Sequence, residues 1–319
     1  MLLYISILKI WSEKDFTRMI KPITLHQTRF GADTITKDPK TGDYKDPLMK
    51  WPLRGMAFTN EVGESLRPII GEAATLFWAP VFLYIGADVY DKYKNDQTEY
   101  SPSSRRFLKQ AIFQGLASML LPLVAIHGGQ DVFSLFGLAS KDKLTYNAQE
   151  QVVKLAQQYV ANGKMKAFDG NDSENIKNFV DTVHSNLDYK SSKKPLKSSL
   201  HKFFNLDKSE NIEKYAKDTI TKLIETKNLL LNPTAEFKKS GLYSDFILAL
   251  EAGQTENVAV KSILSKFLNK QTLTGKLFKT IGGFIAFGAL VGPIDRFVEH
   301  ILIDKVIGPT IDKTKKSAN

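Results

Sequence analysis

Polar and apolar positions change over four times along the chain. Residues 1–57 are a polar segment with turn chemistry such as "KDPKTGDYKDP". Residues 58–140 carry the first apolar block, 141–275 are polar and lysine-rich, and 276–308 are apolar again. A basic tail, 309–319, ends in "KTKKSAN". The pattern predicts an all-α protein: a multi-helix membrane bundle of three hydrophobic helices, with a helical polar domain inserted before the third.

Within the first block, "AATLFWAPVFLYIGA" (73–87) carries no charge between Glu72 and Asp88. It is short against the roughly 20 apolar residues that a span needs. The run from Gln110 to Gln130 has no formal charge unless His127 is protonated, and it is long enough to cross. Ala111 and Gly115 have the small-xxx-small spacing that lets helices approach closely in lipid. Gln114, polar in the same turn, needs a partner on a neighbouring helix. "GGQD" (128–131) reads as a break, with "VFSLFGLA" (132–139) beyond it as a partial fourth helix. The last block is uncharged from Thr280 to Ile294, and Gly282/Ala286 and Gly288/Gly292 repeat the small-xxx-small spacing. The same runs also fit the core of a soluble helical bundle binding an apolar ligand.

The inserted domain has the 3.6-residue period of amphipathic helices through Val152, Leu155, Ala156 and Tyr159, and again through Ile212, Tyr215, Ala216, Ile220, Leu223 and Ile224. "SENI" at 173–176 and 209–212 and "TENV" at 255–258 predict Ser or Thr N-caps with an acid in the first turn. "YKSSKKPLKSS" (189–199) reads as a loop.

Composition narrows the function classes. The 319 residues carry a net charge of +10 and no cysteine, so disulfides, thiol nucleophiles and thiolate metal sites are out. The excess charge attracts nucleic acid or anionic lipid. No arginine lies between Arg106 and Arg296, and without those fork donors nucleic acid is the disfavoured partner. The apolar amino terminus, "MLLYISILKIW", lacks the charged start and cleavage site of a secretory signal. It reads either as a surface anchor or as leader ahead of Met19.

Four segments, in order, carry a family resemblance: "FTNEVGESLRPII" (58–70), "YIGADVYDKYK" (84–94), "FQGLASMLLP" (113–122) and "GPIDRFVEHILID" (292–304). Each keeps its place relative to a hydrophobic run. In these the chain resembles the mitochondrial fission process protein family, small inner-membrane proteins with several hydrophobic helices and no known catalytic centre. The resemblance implies a non-enzymatic scaffold or adaptor in membrane organisation, in a mitochondrial or bacterial inner membrane. It places Asn60, Glu61, Gly63, Asp88, Asp91, Lys92, Pro293, Asp295 and Arg296 at the motif positions. The large lysine-rich insertion departs from the family's compact plan.

Neither a catalytic group, a cofactor site nor a metal site is predicted. Of the acids near the apolar runs, only Asp88/Asp91 and Glu299/His300 are close in sequence, which is not the spacing of a ligand set. Arg296 is expected to pair with Asp88 or Asp91, tying two helix ends together. Pro293 is expected to start a helix with Asp295 in its first turn and a stripe of Val298, Ile301, Leu302 and Val306 beyond. Partners are membrane lipid and, through 141–275, other proteins. A small-solute or ion carrier lined by Gln114 and the interfacial acids is the alternative class.

Overall fold

The computed structural model describes Leu48 and residues 50–94, 103–162, 172–187 and 204–311. The apolar amino terminus, Met19, the 189–199 link and "KTKKSAN" lie outside the described residues. In chain order the α-helices are α1 (Leu53–Met56), α2 (Thr59–Ile70), α3 (Trp78–Lys94), α4 (Ser104–Phe113), α5 (Leu121–Ser134), α6 (Tyr146–Ala161), α7 (Asp172–Asn186), α8 (Ser209–Leu231), α9 (Gly241–Glu251), α10 (Glu256–Gln271) and α11 (Leu273–Arg296). Wider π-helical turns occupy Gln114–Leu120 and Phe297–Ile307. Among the described residues there is no strand. By length and composition three helical runs could cross a membrane: Thr59–Lys94, which is interrupted at Gly71, Ser104–Ala139 and Leu273–Ile311.

The chain divides into two compact units, one of residues 131–279 and one of 1–130 with 280–319. The inserted unit is built conventionally. Its core is the apolar stripe of each helix, including Val152 and Ala156, Phe179 and Val183, Ile220 and Leu223, and Leu264 and Leu268. Thr145 caps α6 by accepting from the Ala148 N–H, and Asp207 holds that cap by accepting from the Thr145 N–H at 2.7 Å and its hydroxyl at 2.9 Å. Of the expected caps, Thr255 does occupy the N-cap of α10 with Glu256 in the first turn, without a side-chain cap bond; Ser173 instead lies inside α7, and Lys208 rather than Ser209 caps α8, with Glu210 in its first turn.

The other unit holds a helical reversal that periodicity does not announce. At Gly71, φ is 59° and ψ is −133°, a conformation open mainly to glycine. The chain folds back there, so that a Cβ on Gly63 would meet Phe77 Cβ at 2.5 Å and the Ala74 carbonyl at 2.9 Å. In a straight helix, residues that far apart in sequence stand about 20 Å apart. The first run is therefore a hairpin, α2 running in and α3 running out. Phe58, just before α2, packs on Phe287 of α11 with ring centroids 6.0 Å apart. Asn60 reaches Ser118, and the Ser65 backbone lies against Gly283. So α2 lies alongside both other apolar runs.

Three expectations are corrected here. "GGQD" is not a break: α5 continues through Gly128 and Gly129, and 132–139 finishes the second run rather than forming a separate fourth helix. Its second glycine is a crossing point, where an added Cβ would strike the Gly282 carbonyl and lie 2.5 Å from Ala286 Cβ. That close approach offsets the low helix propensity of glycine. Gly115, by contrast, meets nothing within 4 Å, so Ala111/Gly115 is not such a crossing. Pro293 does not start a helix; it lies inside α11. Beyond it the π-helical turn, with more residues per turn, rotates the stripe. Val298 and Ile303 are buried with Leu302 and Ile307 packed beside them, while Ile301 and Val306 stay exposed.

Candidate functional site

The sequence "TNEVGES" of α2 is polar, and the fold buries it. Asn60, Glu61, Gly63, Glu64 and Ser65 are all buried. Buried positions that include sequence neighbours show that α2 is covered on more than one face. Polar groups so enclosed need partners, and two prolines provide a pair of them.

Proline carries no N–H, so it cannot bond the carbonyl four residues earlier. Pro68 in α2 leaves the Glu64 carbonyl without that donor, and Gln130 Nε2 donates to it at 2.8 Å. Pro122, at the start of α5, likewise withholds an N–H from the π-helical turn before it, and in that turn the Ser118 carbonyl accepts from Asn60 Nδ2 at 2.9 Å. The exchange is reciprocal: each run lends a side-chain amide to a backbone carbonyl of the other, close to a proline.

A second cluster joins the same place. Asp88 is 4% exposed, and its Oδ2 accepts from Gln114 Nε2 at 2.6 Å and from Gln110 Nε2. Ser118 Oγ donates to Gln114 Oε1 at 2.6 Å. Gln110, Gln114 and Ser118 recur every four residues on one side of the second run. Gln114 thus meets its partner on a neighbouring helix, and Asn60, Ser118, Gln114, Asp88 and Gln110 form one chain of contacts.

Nearer the Gly71 turn, Glu64 gathers three groups. Arg67 makes a two-point contact at 2.7 and 2.5 Å, Trp78 Nε1 donates at 2.8 Å, and His127 Nε2 lies 3.3 Å away. On another side of α2, Glu61 is 2% exposed, its Oε2 has no hydrogen-bond partner, and it lies within electrostatic reach of Asp295. Arg54, buried in α1, is in reach of the same aspartate and of Tyr84.

The ten sequence-predicted positions therefore separate. Asn60, Asp88 and Gln114 share one network, Glu61 and Asp295 a second, and Gly63 makes the close approach to Phe77. Asp91 and Lys92 pair with each other at 3.5 Å near the end of α3. Pro293 and Arg296 face outward, whereas Asp295 is buried. Asp295 is not in a first turn as expected, because α11 has begun more than five turns earlier. Sequence reasoning missed Arg54, Gln110, Ser118 and Gln130. Two signals were present: the four-residue recurrence of Gln110, Gln114 and Ser118, and the two in-helix prolines.

Among the described residues no three His, Asp or Glu side chains converge as a metal set. Comparison with known protein families, curated proteins and solved structures finds no match to this chain. The geometry can hold helices together and carry polar groups through an apolar layer.

Proposed function

We propose that the chain is an integral membrane protein, a non-enzymatic scaffold or adaptor in membrane organisation, of the mitochondrial fission process kind. One observation carries the membrane part: the bundle turns large apolar side chains outward while it encloses charged ones. Leu76 is 76% exposed and Leu83 69%, while Glu61 and Asp88 are almost fully enclosed. In water, that pattern forfeits apolar burial and desolvates charges together. In lipid it is the favourable one, with apolar side chains outward and polar groups satisfied among helices. Resistance of the membrane-bound protein to carbonate and high salt tests the reading, and release by either would overturn it.

The scaffold part rests on two supports: the resemblance in 58–70, 84–94, 113–122 and 292–304, and the separate core of the 131–279 unit, which suits presentation to protein partners. A mitochondrial or a bacterial inner membrane fits this reading. Capture of the same partner by the full chain, and its loss when exposed residues of that unit are exchanged, is the expected outcome.

The buried chain from Asn60 to Gln110 favours a second reading, a carrier of small solutes or ions. Flux into proteoliposomes that disappears in Gln114→Leu supports the carrier; no flux in the wild type supports the scaffold.

A further inference from the structure

We propose that the enclosed seam between α2 and α11 binds one alkali cation of sodium size, held by the Glu61 carboxylate together with the Ser65 hydroxyl. The proposal goes beyond both readings above and needs only the helix contacts of the bundle.

The two residues face the same neighbour. Phe58, Glu61 and Ser65 recur at spacings of three and four, so they share one side of α2. Phe58 packs on Phe287, and the Ser65 Cα lies 3.2 Å from a Cβ built on Gly283. Both contacts are with α11, so Glu61 lies between them on the same seam. On the α11 side, Gly283, Phe287, Val291 and Asp295 recur every four residues and are all buried.

Within this seam Glu61 is 2% exposed and Ser65 0%. Glu61 Oε2 and Ser65 Oγ both lack a hydrogen-bond partner. One turn away Glu64 shows the contrast, with Arg67, Trp78 and His127 around it. The charged group in electrostatic reach of Glu61 is a second acid, Asp295. Enclosed carboxylates are ordinarily paired or bound to a metal ion. Arg54, in reach of Asp295, offsets one of the two negative charges, and a single positive charge balances the other. Oxygen donors select a hard cation, which takes hydroxyl and carbonyl oxygens beside carboxylates and so needs no triad of acids. The two orphaned oxygens share a face without bonding each other, which would need about 2.5–3.0 Å between them. A cation of calcium or sodium size, about 2.3–2.6 Å from each oxygen, spans a wider gap.

The test uses the full chain in neutral detergent, with sodium chloride exchanged for choline chloride at one pH and one ionic strength. The thermal unfolding midpoint is expected to rise with sodium and to saturate. Ser65→Ala is expected to raise the half-saturating sodium concentration on the order of tenfold, and Glu61→Gln to abolish the response. Glu72→Gln, in the turn after α2, leaves the response intact. A wild type equally stable in sodium and choline, or a sodium response that survives Glu61→Gln, would overturn the proposal. So would a midpoint that rises on acidification but not with sodium, which assigns the carboxyl a proton only. If Glu61→Gln does not fold, the wild type and Ser65→Ala decide, and an unchanged half-saturating concentration in Ser65→Ala rejects the site.

Discussion

The inserted unit encloses Val152, Ile220, Leu223 and Leu264, and none of its described lysines is fully buried. The bundle encloses Asn60, Glu61, Asp88 and Gln114 and turns Leu76, Leu83, Ile281 and Ile285 outward. Both are helical, and both are made of helices with an apolar and a polar side. What differs is that the bundle encloses carboxylates and amides beside its apolar contacts and leaves a larger set of apolar side chains outward, which suits an apolar surrounding. In water, burial of apolar area is the main stabilising contribution. In hydrocarbon that contribution is absent between helices, and packing with satisfied polar contacts replaces it. The same substitution should therefore act differently in the two units.

Truncating a leucine should separate them most. Leu264→Ala removes a fully enclosed side chain from the inserted unit and should cost about 2–5 kcal/mol. Leu83→Ala changes an outward side chain and should stay within about 0.5 kcal/mol in detergent. Hydrogen exchange can follow each unit separately, through the amides of α10 and of α3. Equal losses at both sites would remove the contrast between the two solvents.

A charge at the same outward position sharpens the comparison. Leu83→Lys should cost about 2.5–3.5 kcal/mol of insertion free energy, if that surface meets hydrocarbon. Val258→Lys, at an exposed position of the inserted unit, should be close to neutral. The fraction of each variant that resists carbonate is the readout. A Leu83→Lys protein that inserts as well as Val258→Lys would mean that α3 faces water.

The amide exchange offers a third break, specific to the bundle. Asn60→Leu leaves the Ser118 carbonyl without the donated amide, at a cost of about 1–3 kcal/mol. Pro122→Ala adds a backbone N–H to that turn, which can take the Ser118 carbonyl once the turn tightens from the π to the α pattern. It should recover part of the loss in the Asn60→Leu background while gaining little on its own. Additive effects in thermal unfolding, with no rescue, would show that the proline and the asparagine act independently.

How much of this could be read along the chain differs between the regions. The inserted helices follow the 3.6-residue period, so Val152, Ala156, Ile220 and Leu223 were legible as core. In the bundle, local spacing marked the Gly282/Ala286 crossing and the need of Gln114 for a partner. It could not place α2. "TNEVGES" has the composition of a solvated helix, and only the reversal at Gly71 carries it inward. Nor could it join Gln130 to the Glu64 carbonyl or Asn60 to that of Ser118, because each partner is remote in sequence. Pro68 was a readable clue to a free carbonyl at Glu64, though not to the amide that takes it. Pro293 was misread because in water-soluble helices an interior proline usually ends the helix, whereas in lipid neighbours and wider turns tolerate it.

The smallest effect concerns pH and belongs to the inserted unit. Tyr215, on α8, has its hydroxyl pushed up to about 12 by burial, with a further push from Asp142 and a partial opposing pull from its hydrogen bond with Thr219. A phenol whose folded value exceeds its ordinary value near 10 favours the neutral form in the fold. Its contribution is intact below pH 10, because neither state has ionised. Between about 10 and 12 the unfolded chain loses a proton that the folded chain keeps, so stability falls as pH rises through that window. Tyr215→Phe removes the titrating group and should flatten that part of the profile while leaving the slope below pH 10 unchanged. Denaturant midpoints between pH 8 and 11, followed by exchange of α8 amides, provide the measurement. The same slope in both proteins would assign the alkaline loss to other groups, such as the lysines, and not to the enclosed phenol.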